Sequence, residues 1–269
     1  MRARIHSKIQ RTFSAIRRLF THRGRMHPPE HLVKMVGGGD FKAVGEEFFS
    51  YFTSQCHLKP EEKILDVGSG CGRMAVPLIS YVSGSGGYWG FDVSRAGVRW
   101  CIRKIGRKNS RFHFTHANIN NRFYNPEGTV AARDFRFPYE DDFFDFVFLT
   151  SVFTHMPAPD MEHYLQEILR VLKPGARTML TFFLLNDDSR RLMQNGKSIY
   201  VFSHKGQDCY STRSDVPESA IAYDESFVRD CIVRTGLIIE EPVRFGSWCG
   251  RKNFHSSQDI MIAVKPGLG

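Results

Sequence analysis

Short apolar runs alternate with amphipathic stretches over most of the chain from Lys63 onwards. Ile64-Leu65-Asp66-Val67 reads as a short buried strand stopped by Gly68, with a helix over Gly72 to Tyr81 behind it. A second strand, Tyr88-Trp89-Gly90-Phe91, ends at Asp92; Arg95 to Ile105 has helical period, and Arg111 to His116 is a third strand. Phe144 to Thr150 is a fourth strand, almost wholly apolar. Between Pro159 and Leu172, Leu165, Ile168, Leu169 and Leu172 fall on one helix face; Lys173-Pro174-Gly175 makes a turn and Thr178 to Leu184 a fifth strand. Asp224 to Thr235 is a further helix, and Gly236 to Glu240 and Ile260 to Val264 are two more strands. Apolar strands alternating with helices predict an α/β, doubly wound, mostly parallel sheet covered on both faces. In such sheets ligands bind beyond the carboxyl ends of the strands, near the switch in strand order.

Upstream of this body the pattern changes. Ile5, Ile9, Phe13, Ile16 and Phe20 share one face of a helix whose other face is basic. Residues 1–25 hold eight Lys and Arg and no acid, whereas the other 244 residues carry 29 basic against 28 acidic side chains. Eight of the nine net positive charges therefore belong to the first 25 residues, and the body presents no electrostatic footprint for DNA. Such a helix suits an anionic membrane surface, a docking face on the parent domain or a partner, or an organellar transit segment. Residues 26–60, with breaks at Pro28-Pro29 and Gly37-Gly38-Gly39 and a helix from Phe41 to about Cys56, read as a linker and helical lead-in to a domain over 61–269.

Six scattered cysteines, none in a CxxC or at zinc spacing with histidines, predict reduced thiols, a cytoplasmic setting and no structural metal. No apolar run approaches the roughly 18 residues of a membrane span.

The chemistry concentrates after the first strand. Asp66-Val67-Gly68-Ser69-Gly70-Cys71-Gly72 joins a strand to a helix start, where glycines permit a tight turn and close ligand approach, and where free N–H groups are expected. Asp92, at the end of the next strand, can accept from both hydroxyls of a ribose. Together these make a nucleoside site.

The loop spacing is GxGxG rather than the dinucleotide GxGxxG, with an acid two residues before the first glycine. It resembles motif I of the class I S-adenosylmethionine-dependent methyltransferases. The likeness continues through Gly90-Phe91-Asp92-Val93-Ser94, through Phe137 to Val147 before the fourth strand, and through Glu167 to Arg177 before the fifth. The resemblance implies a seven-stranded sheet with its last strand antiparallel, and S-adenosylmethionine as cofactor. It implies that Asp66 orients the loop and reaches the methionine amino group, that Gly68, Ser69, Gly70 and Gly72 lie under the ligand, and that Asp92 with Val93 holds the ribose. Thr150 is placed on the same site. At the adenine end Asn118 stands where an acid is common, with Asp134 beside Phe135 as the rival beyond an insertion at 119–133.

The segment after the fourth strand, Thr150-Ser151-Val152-Phe153-Thr154-His155-Met156, lies on the acceptor side. It lacks the Pro-Pro-aromatic motif of base-methylating relatives and the acidic cluster of the magnesium-dependent ones. His155 is the expected general base, since an imidazole takes a proton near neutrality. Trp248, Arg251, His255, Gln258 and Asp259 are further expected pocket residues. The function expected is metal-independent O-methylation of a small molecule, a glycan or a lipid-linked glycan. Methylation of a protein or RNA, and cofactor binding without turnover, are the alternatives.

Overall fold

A computed structural model describes residues 26–267, so the basic segment 1–25 lies outside the described residues. Seven strands form the main sheet: β1 (Lys63–Val67), β2 (Gly87–Asp92), β3 (Phe112–His116), β4 (Phe144–Leu149), β5 (Leu172–Phe182), β10 (Ile238–Arg244) and β11 (Asp259–Val264). Their order is β10-β11-β5-β4-β1-β2-β3. The five strands from β5 to β3 are parallel, and β11 runs antiparallel to both β5 and β10. Strand order reverses at β1, which pairs with β2 on one side and β4 on the other, so the carboxyl ends of β1, β2 and β4 open onto one crevice.

Alternate residues of each central strand enter different cores. Ile64, Tyr88, Phe146 and Phe148 face one side, while Leu65, Val67, Phe91, Val147 and Leu149 face the other. This double burial explains the apolar run of β4, interrupted only by the half-buried Asp145. The first core is closed by α2 (Phe41–Ser54) and α4 (Arg95–Lys104); the second by α5 (Ala158–Val171) and α7 (Glu225–Thr235). Asp40 caps α2 by accepting from the amides of Lys42 and Ala43, both at 2.9 Å, and Gly236 ends α7 in the left-handed conformation.

Several expectations change. Residues 26–60 do more than lead in: α1 (Glu30–Met35) buries Leu32 and Val33, and α2 buries Phe41, Phe48 and Phe52 in the main core. The helix expected over 72–81 is only Ala75–Leu78, here α3. Pro77 has no N–H to offer Arg73, four residues earlier. The Arg73 carbonyl instead lies so close to Gly45 of α2 that a Cβ there would sit 2.6 Å from it. Gly236 is a helix cap rather than strand, and β10 begins at Ile238. The turn at Lys173–Gly175 is absorbed into β5, which starts at Leu172 with a register irregularity.

A second, smaller sheet escaped the sequence pattern because its strands are two to four residues long. It has the order β6 (Leu184–Leu185), β9 (Ile221–Asp224), β8 (Tyr210–Ser211), β7 (His204–Lys205), and α6 (Asp187–Gln194) leaves it behind a capping box of Asn186 and Ser189. Phe183, Phe202 and Trp248 pack beneath it.

Candidate functional site

The crevice at the carboxyl ends of β1, β2 and β4 is a cavity of about 970 Å³. That is near the upper end of the roughly 300–1,000 Å³ common for small-molecule sites. Asp66, Gly68, Ser69, Gly70, Asp92, Val93, Thr150 and His155 all line it.

The glycine loop is drawn tightly onto β2. The amides of Gly68 and Ser69 both donate to the Phe91 carbonyl, at 2.9 and 3.0 Å, and that of Gly70 donates to Asp92 Oδ2 at 2.8 Å. These N–H groups are therefore consumed by the fold, contrary to the expectation of free donors there. The glycines serve approach instead. Gly68 (φ 85°) and Gly70 (φ 54°) are left-handed, and a Cβ on either would stand 2.4 Å from Val152 or 2.5 Å from Val36. Gly72 belongs to another contact: its open face meets Ile105 and Cys101 of the following helical layer, and it does not line the cavity.

Asp92 accepts from Gly70 through Oδ2 and from Ser94 through Oδ1, at 2.8 and 2.6 Å. Each oxygen keeps a second acceptor site for a ligand hydroxyl. Burial raises its carboxyl above the usual range, against the pull of those two amides. Asp66 is completely buried, its Oδ2 accepts from the Tyr88 hydroxyl, and burial pushes it up to about 8. Its Oδ1 has no partner among the described residues.

Arg73, which sequence reasoning passed over, also lines the cavity. It donates to the Gly38 carbonyl at 2.6 Å, while its Nε is buried without a partner among the described residues. An unpaired carboxylate oxygen and an unpaired guanidinium N–H in one cavity suit a zwitterionic amino-acid group. The only sequence signal for Arg73 was a cation immediately after the last loop glycine.

At the opposite end, Asn118 and Asp134 are exposed and neither lines the cavity. The Asn118 amide is turned to Thr129 Oγ1 at 2.9 Å, so its proposed contact with adenine is not supported by placement. Phe135 packs beneath the site on Phe91 and Phe137. The wall there is Val93, Ile119, Asn120 and Ala132.

His155 follows β4 in a short 3₁₀ turn, Phe153–His155. Nδ1 lies 2.8 Å from the Glu218 carbonyl, which only accepts, so Nδ1 carries the proton and Nε2 is the accepting nitrogen. The Tyr124 hydroxyl is 3.3 Å from Nε2. Burial holds the imidazole below its ordinary pKa, against the raising effect of the Glu218 and Ser219 backbone. The imidazole is thus neutral and oriented at pH 7.

Of the five C-terminal candidates, only Gln258 lines the cavity, donating to Ser151 Oγ at 2.6 Å. Ser151, with φ 59°, is one of few non-glycine residues in the left-handed region. Trp248, Arg251 and Asp259 form a structural network. Buried Asp259 accepts from the Gly246 and Leu184 amides and from Trp248 Nε1, each at 2.7 Å, and from Arg251 at 3.3 Å. His255 is exposed, and its carbonyl accepts from Tyr51. The cavity wall around His155 is built instead by Asn121, Phe123, Tyr124 and residues 218–220, with α1 also lining the cavity.

Among the described residues no group of three or more His, Cys, Asp or Glu is placed to hold a metal ion, and no helix is long and apolar enough to cross a membrane.

Residues 64–175 match the family model described as a methyltransferase domain. The chain is 28% identical over 149 residues to 27-O-demethylrifamycin SV methyltransferase of Amycolatopsis mediterranei, covering 53% of this chain and 48% of that one. It is 28% identical over 152 residues to the ubiquinone/menaquinone biosynthesis C-methyltransferase UbiE of Wigglesworthia glossinidia brevipalpis, covering 56% and 50%. The chain thus spans about half the length of these curated relatives. Among solved structures it resembles a SAM-dependent methyltransferase of Methanosarcina mazei, with TM-score 0.54, 21% identity and coverage of 79% and 96%.

Proposed function

Because the chain belongs to the class I S-adenosylmethionine-dependent methyltransferases, we propose that it catalyses methyl transfer from that cofactor to a hydroxyl oxygen of a small organic acceptor. Bound S-adenosylmethionine supplies a methyl group on a sulfonium centre. Asp66 Oδ1 and Arg73 Nε are the unpaired atoms that match its ammonium and carboxylate. Gly68 and Gly70 clear the floor, and Asp92 offers its remaining lone pairs to the ribose. The chain's own work is then alignment of donor and acceptor, exclusion of water and removal of one proton.

The observation that carries the oxygen assignment is His155. Its accepting Nε2 is fixed by the Nδ1 bond to Glu218, in the same cavity as the glycine loop. A hydroxyl acceptor must lose a proton, and a neutral, oriented imidazole is the group to take it. Glycans and lipid-linked glycans share this chemistry and belong to the same proposal. The two relatives named above carry O- and C-methyltransferase names, so the position of the methyl group is the deciding measurement. Calorimetry should show binding of S-adenosylmethionine and its demethylated product. A screen of hydroxyl compounds should yield a product whose new methyl carbon is bonded to oxygen by NMR. A methyl found on carbon, or cofactor binding without any transfer, would count against this reading.

A further inference from the structure

We infer that Tyr124 is the group that meets the acceptor hydroxyl and relays its proton to His155, an inference that rests on the hydroxyl-acceptor reading. Nδ1 of His155 is committed to the Glu218 carbonyl at 2.8 Å, so Nε2 is the only nitrogen able to accept. The Tyr124 hydroxyl stands 3.3 Å from it, the two rings are edge-on with centroids 5.2 Å apart, and both side chains line the cavity. An acceptor hydroxyl approaching Nε2 finds the phenol already there.

The segment carrying Tyr124 is built to hold that position. Asn121 Oδ1 accepts from the amides of Phe123 and Tyr124, at 3.0 and 2.9 Å, forming a local turn. Asn121 Nδ2 reaches the His155 carbonyl at 3.4 Å. Asn125 closes the turn by donating to the Ile119 carbonyl at 2.9 Å. The exposed Phe123 ring lies parallel to the imidazole, 5° between planes. The residues that lengthen the chain between β3 and β4 thereby gain a role that sequence pattern did not assign them.

The step balances as follows. The acceptor oxygen forms the new bond to the methyl carbon while the carbon–sulfur bond breaks and sulfur keeps the electron pair. The acceptor proton passes to Tyr124 Oη as the phenolic proton passes to His155 Nε2. The phenol is restored and an imidazolium remains, bonded through Nδ1 to the Glu218 carbonyl. Burial pushes Tyr124 up to about 12, so it serves as a shuttle and never as a standing phenolate. The titratable groups that act on Tyr124 through charge are Asp92 and Tyr200, both raising it. On the His155 side the partner is the backbone: the Glu218 carbonyl holds Nδ1, and the Glu218 carboxylate lies 3.9 Å from Arg122.

The test has two arms. In ¹⁵N NMR of the full chain with S-adenosylhomocysteine, His155 should hold its proton on Nδ1. Tyr124→Phe should leave that tautomer intact and move the Nε2 resonance. An unmoved Nε2 signal, or a proton on Nε2 in the wild type, overturns the relay. In the second arm, with 4-methylphenol, whose hydroxyl keeps its proton at neutral pH, as probe acceptor, Tyr124→Phe and His155→Gln should each lower turnover by about 10²–10³-fold with cofactor affinity unchanged. The double variant should lose no more than either alone, because both act in one relay. The wild type should lose rate at a pH below the ordinary histidine range, and His155→Gln should lack that limb. Multiplying losses, or full turnover in Tyr124→Phe, overturns the inference. A wild type that refuses 4-methylphenol counts against the hydroxyl-acceptor reading, while the NMR arm still decides the pair.

Discussion

The Tyr88 hydroxyl donates to Oδ2 of Asp66, and the other oxygen of that fully buried carboxylate has no partner among the described residues. The pair fixes the carboxyl plane while leaving one acceptor aimed at a ligand. A buried, half-satisfied acid is costly without its ligand, and burial accordingly pushes Asp66 up to about 8.

The first prediction is the pH dependence that follows. An unfolded Asp titrates near 3.9, so the folded acid retains a proton that the unfolded one has released. Stability of the ligand-free protein should therefore fall as pH rises from about 4 to 8. Binding a cationic ammonium requires the carboxylate, so cofactor affinity should climb with pH by up to tenfold per unit below about 8. Asp66→Asn should bind more weakly and lose this slope. Calorimetry in buffers of different ionisation enthalpy measures the released proton directly, and a flat wild-type profile would contradict the assignment.

Asp92 is tied to both the loop and the ribose site. Asp92→Ala removes a charged acceptor worth roughly 1.5–3 kcal/mol, so cofactor affinity should drop about 10- to 100-fold. Asp92→Asn keeps an acceptor and should lose less. Equal affinity in all three proteins would place the cofactor elsewhere.

Gly70 tests the cradle. Alanine there meets Val36 at 2.5 Å and adopts φ 54°, a conformation costing about 1–2 kcal/mol for L-residues. Val36→Ala removes the atom in the way but not the backbone cost. The double variant should recover part of the binding and little of the melting temperature.

Asp259 should matter to folding alone. Asp259→Ala strands buried donors from Gly246, Leu184, Trp248 and Arg251, with a loss of about 3–5 kcal/mol expected in denaturant titration. Cofactor affinity of the folded fraction should be unchanged.

The basic segment is expected to bind anionic vesicles at low salt and to release them as salt rises, its attraction being screened over about 8–10 Å. Removing residues 1–25 should abolish that binding and leave cofactor affinity intact, since the described cavity-lining residues begin at His31 and the cofactor motifs at Asp66. Co-sedimentation of full-length and shortened chains settles it; vesicle binding that survives truncation would move the contact into the body.

The parallel core was legible because strands buried on both faces leave apolar runs that nothing else in the chain imitates: Phe144 to Leu149 is the plainest. The loop glycines and Asp92 were legible because their spacing reports a turn and a strand end. The rest depended on contacts between distant segments. Asp259 and Trp248 look alike in sequence whether they face a ligand or each other, and only the fold pairs them at 2.7 Å. Asn118 lies in the right stretch of chain, but its side chain is spent on Thr129. Arg73 and Tyr124 gain meaning only from Gly38 and His155, 35 and 31 positions away.

One wall of the cavity is the chain from His31 to Gly39, and Arg73 clasps it through the single carbonyl of Gly38. The three glycines of this strap all sit at positive φ with no described residue beyond their chain neighbours within 4 Å of their Cβ positions. The basic segment ends at residue 25, six positions before the strap begins. The segment therefore adjoins, in sequence, a stretch of chain that lines the cavity. Leu32 and Val33, buried in the core, bear any load on that segment before the cavity-lining residues from Lys34 to Gly39 do.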